Sequence, residues 1–145
     1  IHIPTVDALA YNLVGSRDIV CPLMDARRNQ TYTGLYRFDG NQMEIVKPQC
    51  AVGIDEIIAD VNEIGQAVVF LGDGVAVFES YIRENCKVPF SFAPAHVNKQ
   101  RAGAVAALGE IYYKEGKTET AEEHKPDYLR LSQAERERLE GEQKQ

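Results

Sequence analysis

The chain is short of cysteine, of excess positive charge and of long apolar runs. Its 145 residues include three cysteines, Cys21, Cys50 and Cys86, widely spaced and odd in number. With no Cys-x-x-Cys pair and no Cys/His cluster, the sequence speaks for reduced cytosolic thiols rather than a disulfide frame or a zinc site. Lys and Arg number 16 against 22 Asp and Glu, a net charge of −6. A general binder of phosphate backbones needs clustered cations, so direct binding to DNA or RNA is disfavoured. No apolar run approaches the roughly 20 residues of a membrane helix. The opening Ile1-His2-Ile3-Pro4-Thr5 has neither an initiator Met nor a signal-peptide pattern, so the expectation is a cytoplasmic fragment or processed product. No internal repeat is present. What remains is a chain of ordinary composition, 44% hydrophobic and 26% charged, long enough for one domain or part of a larger one with a sizeable core.

The most informative stretch is residues 19–38. Residues 19–24 are nearly all apolar, as in a strand covered on both faces. From Gln30 to Phe38 the pattern alternates. Tyr32, Gly34, Tyr36 and Phe38 share one face, and Thr31, Thr33, Leu35 and Arg37 share the other. Asp25–Asn29 is then a hairpin connection that sets one carboxylate and two guanidinium groups at the lip of a sheet, where function tends to sit. An ordinary solvated turn is the competing reading. Pro22 inside the first strand predicts an edge position or a bulge.

Around this hairpin the chain divides into alternating elements. Thr5 is placed to cap a first helix with Val6, Leu9, Ala10 and Leu13 at i, i+3, i+4, i+7, ended by Gly15. Asp39-Gly40 signals a tight turn into a third strand at about 42–47, closed by Pro48. Ile54, Ile57, Ile58, Val61 and Ile64 form a helical stripe stopped by Gly65. Ala67–Leu71 is a short, wholly apolar strand of the buried parallel kind. Gly72-Asp73-Gly74 turns into a helix carrying Val75, Phe78 and Ile82. Residues 88–93 read as a weak strand. A helix from about Asn98 to Glu115, rich in Ala and Gly, is suited to close approach to a sheet. The order β-β-β-α-β-α-β-α predicts an α/β fold, a mixed sheet with helices on its faces, in the order of a ribonuclease-H-like lobe, the unit duplicated in actin-like ATPases. Residues 1–116 form that lobe. Residues 117–145 read as a polar linker, a short extended segment and a charged C-terminal helix opened by a capping box at Ser132–Glu135.

Several stretches together resemble the TsaB (YeaZ) family of bacterial threonylcarbamoyladenosine biosynthesis proteins, and specifically its C-terminal half. They are Thr5-Val-Asp-Ala-Leu-Ala-Tyr11-Asn12, Pro22-Leu-Met-Asp25-Ala26-Arg27-Arg28 with Tyr32, Leu71-Gly72-Asp73-Gly74, and Pro126-Asp-Tyr128-Leu129-Arg130 with Ala134-Glu135. The family's first-lobe motifs, an Ile-Asp-Thr-Ser-like strand and a Gly-Pro-Gly-Ser-Phe-Thr-Gly-like loop, are not in these residues. The resemblance implies a non-catalytic scaffold that joins TsaD and the ATPase TsaE in threonylcarbamoylating adenosine 37 of transfer RNAs reading codons that begin with A. On that basis ATP is used by the complex and not bound by this lobe alone, transfer RNA is met only through the complex, and the family's first lobe supplies most of the TsaD contact. An exposed lobe face also implies a homodimer or poor solubility.

The candidate sites follow. Asp25, Arg27, Arg28 and Tyr32 form the hairpin site. In actin-like ATPases the equivalent hairpin is glycine-rich so that amides approach phosphate. Here Ala26-Arg27-Arg28-Asn29 puts side chains in that place, and the arginines are expected to pair with Asp25 or with another lobe rather than with an anion. Gly72, Asp73 and Gly74 are a possible nucleotide-side turn, or simply a tight strand-to-helix turn. Tyr128, Leu129 and Arg130 are candidate partner contacts. No catalytic residue and no metal ligand is assigned. His2 and His124 support no site, His96 reads as packed or capping, and Tyr11 and Tyr112 as core or rim. Two other functions stay open: a metal-dependent ribonuclease-H-like nuclease using Asp25 and Asp73, and a lobe of an actin-like small-molecule kinase.

Overall fold

The computed structural model describes residues 1–129. Five strands form one mixed sheet: β1 (Ile19–Asp25), β2 (Gln30–Asp39), β3 (Gln42–Gly53), β4 (Val68–Leu71) and β5 (Phe90–Phe92), in the spatial order β3-β2-β1-β4-β5. The first three make an antiparallel meander, and β4 and β5 add in parallel on the far side of β1. Helices α1 (Thr5–Tyr11), α2 (Ile54–Ile64), α3 (Gly74–Asn85) and α4 (Ala102–Lys114) complete the described chain.

The strand patterns sort their side chains as the alternation requires. Ile19, Cys21 and Leu23 of β1, Leu35 of β2, and Val68 and Phe70 of β4 face α2 and α3, meeting Ile57, Ile58, Val61, Phe78 and Ile82. Val20, Tyr36, Phe38, Val69 and Leu71 face the other way onto Val6, Leu9 and Ala10 of α1. β4 is thus covered on both faces, which is why its four residues show no polar position.

Four local expectations are corrected. Pro22 lies in the central strand rather than at an edge. The β1–β2 pairing holds at Val20 and again from Leu23 to Asp25 but lapses between them, so the missing N–H falls in a gap of the ladder. The Pro22 carbonyl is satisfied instead by the Thr33 hydroxyl, which donates to it at 2.6 Å. Pro48 does not close β3, which runs on to Gly53. As the outer strand it tolerates the proline, and its register to β2 shifts beside that position, between Thr33 and Tyr36. Thr5 is the first helical residue and makes no side-chain cap; Pro4 precedes it, and Gly15 (φ +82°) closes the turn after the helix. Finally, α4 begins at Ala102, after a single tight helical turn at Ala95–Val97. It packs on α1 through Leu108, Gly109 and Tyr112, while Ala102, Gly103, Ala106 and Ala107 face solvent. The sheet face behind it is already covered by α1.

Candidate functional site

Asp25 ends β1 and the next turn doubles back at once. Arg27, Arg28 and Asn29 all hold positive φ, at 63°, 54° and 60°. Three successive residues with side chains in the left-handed region are costly, at roughly 1 kcal/mol or more each, and persist only where the surroundings impose them. The imposing contacts are visible. The Asp25 carboxylate accepts the Arg27 main-chain N–H at 2.8 Å. Ala26 N–H donates to Gln30 O at 3.0 Å, Gln30 N–H to Arg27 O at 3.1 Å, and Ile54 N–H to Asn29 O at 3.0 Å. The last of these fastens the hairpin to the start of α2. Asp25 therefore engages the Arg27 backbone, not an arginine head. Among the described residues neither Arg27 nor Arg28 forms a side-chain ion pair, and both are exposed.

The Gly72-Asp73-Gly74 turn reaches the same place. The Asp73 carboxylate accepts the Asp25 N–H at 3.3 Å, so the two predicted sites form one lip at the carboxyl ends of the parallel strands β1 and β4. The glycines are required by backbone contact. Gly72 sits at φ +110°, and a Cβ there would collide with the Leu23 carbonyl oxygen; one at Gly74 would come within 2.9 Å of the same atom. Gly72 N–H is shared by the main-chain oxygen (3.0 Å) and side-chain oxygen (2.8 Å) of Asn98. Asn12 holds that loop from beneath, donating to Val97 O at 2.9 Å and Lys99 O at 2.7 Å. Sequence reasoning missed both asparagines; single side-chain-to-backbone bonds between distant segments leave no periodic trace.

Tyr32 does not join this lip. Its side chain is on the α1 face and lines a groove of about 420 Å³ with His2, Pro4, Met24, Gln49, Tyr128 and Leu129. Tyr128 is 85% exposed, and Arg130 lies outside the described residues, as does the charged helix expected after it. His96 is exposed in its turn rather than packed. Tyr11 rests edge-on to Phe38 with centroids 6.2 Å apart.

The least expected feature is a buried carboxylate. Asp7, only 4% exposed, accepts the Tyr36 hydroxyl at 2.5 Å and the Tyr112 hydroxyl at 3.1 Å. Burial first, and then the Asp7 carboxylate, push both phenols well above the ordinary tyrosine range. The three cysteines are free. Burial raises the Cys21 thiol to about 12 and also lifts Cys50 and Cys86, so none is an activated nucleophile. Among the described residues no third ligand joins Asp25 and Asp73 within metal-binding distance; the one group of that kind is His2, Glu119 and His124.

A five-stranded mixed sheet of this order, with helices on both faces and a charged lip at the ends of its parallel strands, defines one lobe of an actin-like ATPase fold. The chain belongs to the family described as TsaD, tRNA N6-adenosine threonylcarbamoyltransferase, whose model matches residues 1–138. It is 30% identical over 135 residues to the tRNA threonylcarbamoyladenosine biosynthesis protein TsaB of Bacillus subtilis, a match covering 92% of this chain and 56% of that protein. Two Pseudomonas aeruginosa structures share the fold. One is described as an uncharacterized protein with similarity to peptidase YeaZ (TM-score 0.60, 18% identity, 87% of this chain and 55% of the other). The second is YeaZ (TM-score 0.59, 16% identity, 86% and 55%). The chain spans little more than half the length of each of these three relatives.

Proposed function

We propose that this chain is the second lobe of a TsaB-type scaffold that acts with TsaD and TsaE in the cytoplasm to threonylcarbamoylate adenosine 37 of transfer RNAs reading codons that begin with A. The observation that carries the reading is the family match over residues 1–138, joined to 30% identity with a TsaB protein. The hairpin supports a non-catalytic role. The amides of Ala26, Arg27 and Gln30 are already bonded within the loop, so they are not available to cradle a phosphate. ATP is consumed by the complex, and transfer RNA is engaged through it. The net charge of −6 supports that indirect role. The same reading expects the chain on its own to self-associate or to be poorly soluble.

The test is reconstitution. TsaD and TsaE from the same source are incubated with ATP, the remaining substrates and unmodified transfer RNA, with and without this chain, and the modified nucleoside is quantified by mass spectrometry. Paired with a TsaB-type first lobe, the chain is expected to co-elute with TsaD and to raise modification above that of TsaD and TsaE alone. Absence of both effects overturns the proposal. Mg²⁺-dependent RNA cleavage by the chain, lost in Asp25→Asn, would return the nuclease reading, and ATP binding by the chain alone would return the kinase one.

A further inference from the structure

We propose that His2, Glu119 and His124 form a divalent transition-metal site, of the zinc class, that ties the segment after α4 to the segment before α1. The three side chains come from opposite ends of the described chain, yet one ligand atom from each lies within 4.8 Å of the others. His124 Nδ1 is 2.8 Å from a Glu119 oxygen. The His2 and His124 rings meet edge to face with centroids 5.3 Å apart. Local bonds build this pairing. Thr120 N–H and its hydroxyl both donate to the Glu123 carboxylate, and His124 N–H donates to Thr120 O at 3.1 Å. The resulting turn carries His124 back over Glu119.

The donor set selects the ion. Two imidazoles and one carboxylate suit zinc and its neighbours, whereas calcium and magnesium prefer oxygen throughout. Zinc–nitrogen and zinc–oxygen bonds of about 2.0–2.2 Å require ligand atoms roughly 3.3 Å apart. Side-chain rotation supplies the remaining contraction, because all three groups are partly exposed, at 34%, 30% and 47%. Asp127 stands outside the set with a carboxylate oxygen 4.0 Å from His2 Nδ1, and is itself held by Gln49 Nε2 at 3.1 Å. That separation is longer than a hydrogen bond, so Asp127 is a neighbouring negative charge to the imidazole rather than its bonded partner. Water would complete a four-coordinate shell. A bound ion would pin residues 119–124 against the chain before α1 and so steady the neighbouring Tyr128 and Leu129 beside their groove.

The test uses the metals alone. The chain is stripped with chelator, dialysed, and titrated with Zn²⁺ by calorimetry and with Co²⁺ by visible absorption. One equivalent is expected to bind, with Co²⁺ giving the intense ligand-field bands of a low-coordinate nitrogen/oxygen site. His2→Ala, His124→Ala and Glu119→Gln are each expected to weaken binding at least about tenfold with far-UV circular dichroism unchanged. Zn²⁺ is also expected to slow proteolysis within residues 117–129 of the parent chain but not of His124→Ala. No saturable binding, or binding that survives His124→Ala, overturns the site and leaves an exposed His–Glu hydrogen bond. None of these readouts depends on the proposed role in transfer RNA modification.

Discussion

The Tyr36 hydroxyl donates to the Asp7 carboxylate at 2.5 Å, joining a strand of the meander to the first helix inside an apolar layer. With Tyr112 donating to the other oxygen, the carboxylate is the polar pin of α1, β2 and α4. Loss of one partner leaves a buried group unsatisfied, so Asp7→Ala should cost about 3 kcal/mol in urea unfolding. Tyr36→Phe should cost about 1.5 kcal/mol.

This pin also sets an alkaline limit. Tyr36 and Tyr112 are raised in the folded state above the 10.0 of a free phenol. Their contribution is therefore full below about pH 10 and lost as pH rises beyond it, because the unfolded chain releases protons that the folded chain retains. Each such tyrosine steepens the fall by up to about 1.4 kcal/mol per pH unit. Cys21, raised to about 12 from 9.0, adds its own slope from pH 9 upward. Chemical denaturation between pH 8 and about pH 11 should show a shallower decline in Tyr36→Phe than in the parent chain. An unchanged slope would mean that the phenol ionises freely in the folded protein.

Gly72 and Gly103 should respond oppositely to the same methyl group. At Gly72 an added Cβ meets the Leu23 carbonyl at a φ of +110°, so Gly72→Ala should destabilise by about 3 kcal/mol. At Gly103, in the exposed first turn of α4, a Cβ meets nothing within 4 Å. Gly103→Ala should be neutral or stabilising by up to about 0.5 kcal/mol. Denaturant midpoints of the pair check both signs.

The hairpin should trade stability for function. Arg28→Gly relieves a left-handed residue at φ 54° but loosens the unfolded chain, for a net gain of about 0.5–1 kcal/mol. The same change removes an exposed guanidinium from the lip. Thermal unfolding should improve, and under the proposed scaffold role co-elution with TsaD should weaken. A variant that unfolds later and co-elutes equally well would mean the strain serves no partner.

Much of the architecture was legible because it rests on local pattern. The alternation of Tyr32–Phe38, the stripe Ile54–Ile64 and the glycines closing turns each encode one element through its own residues. Pro22 and Pro48 were read by the usual rule for proline in sheets, and Pro22 escaped it only because a gap in the β1–β2 ladder falls at its position. α4 was assigned to the sheet from its small residues, whereas the occupied face was decided by α1, about a hundred residues earlier. The hairpin and the glycine turn were each found, and Asp25 and Asp73 were paired only in the nuclease reading; the main-chain bond that joins them was not foreseen. Nor were Asn12, Asn98 or the His2–Glu119–His124 group, since one residue at each end of a long loop carries no spacing rule.

The outer strand β3 has one further effect. A twelve-residue edge of unpaired amides and carbonyls is the usual template for runaway sheet growth between molecules. Pro48 removes a donor near its midpoint and the register shift beside it bends the row. The opposite edge, β5, offers three residues. Among the described residues a second copy thus finds no long uninterrupted ribbon to extend, and the fold carries its own guard against fibrils.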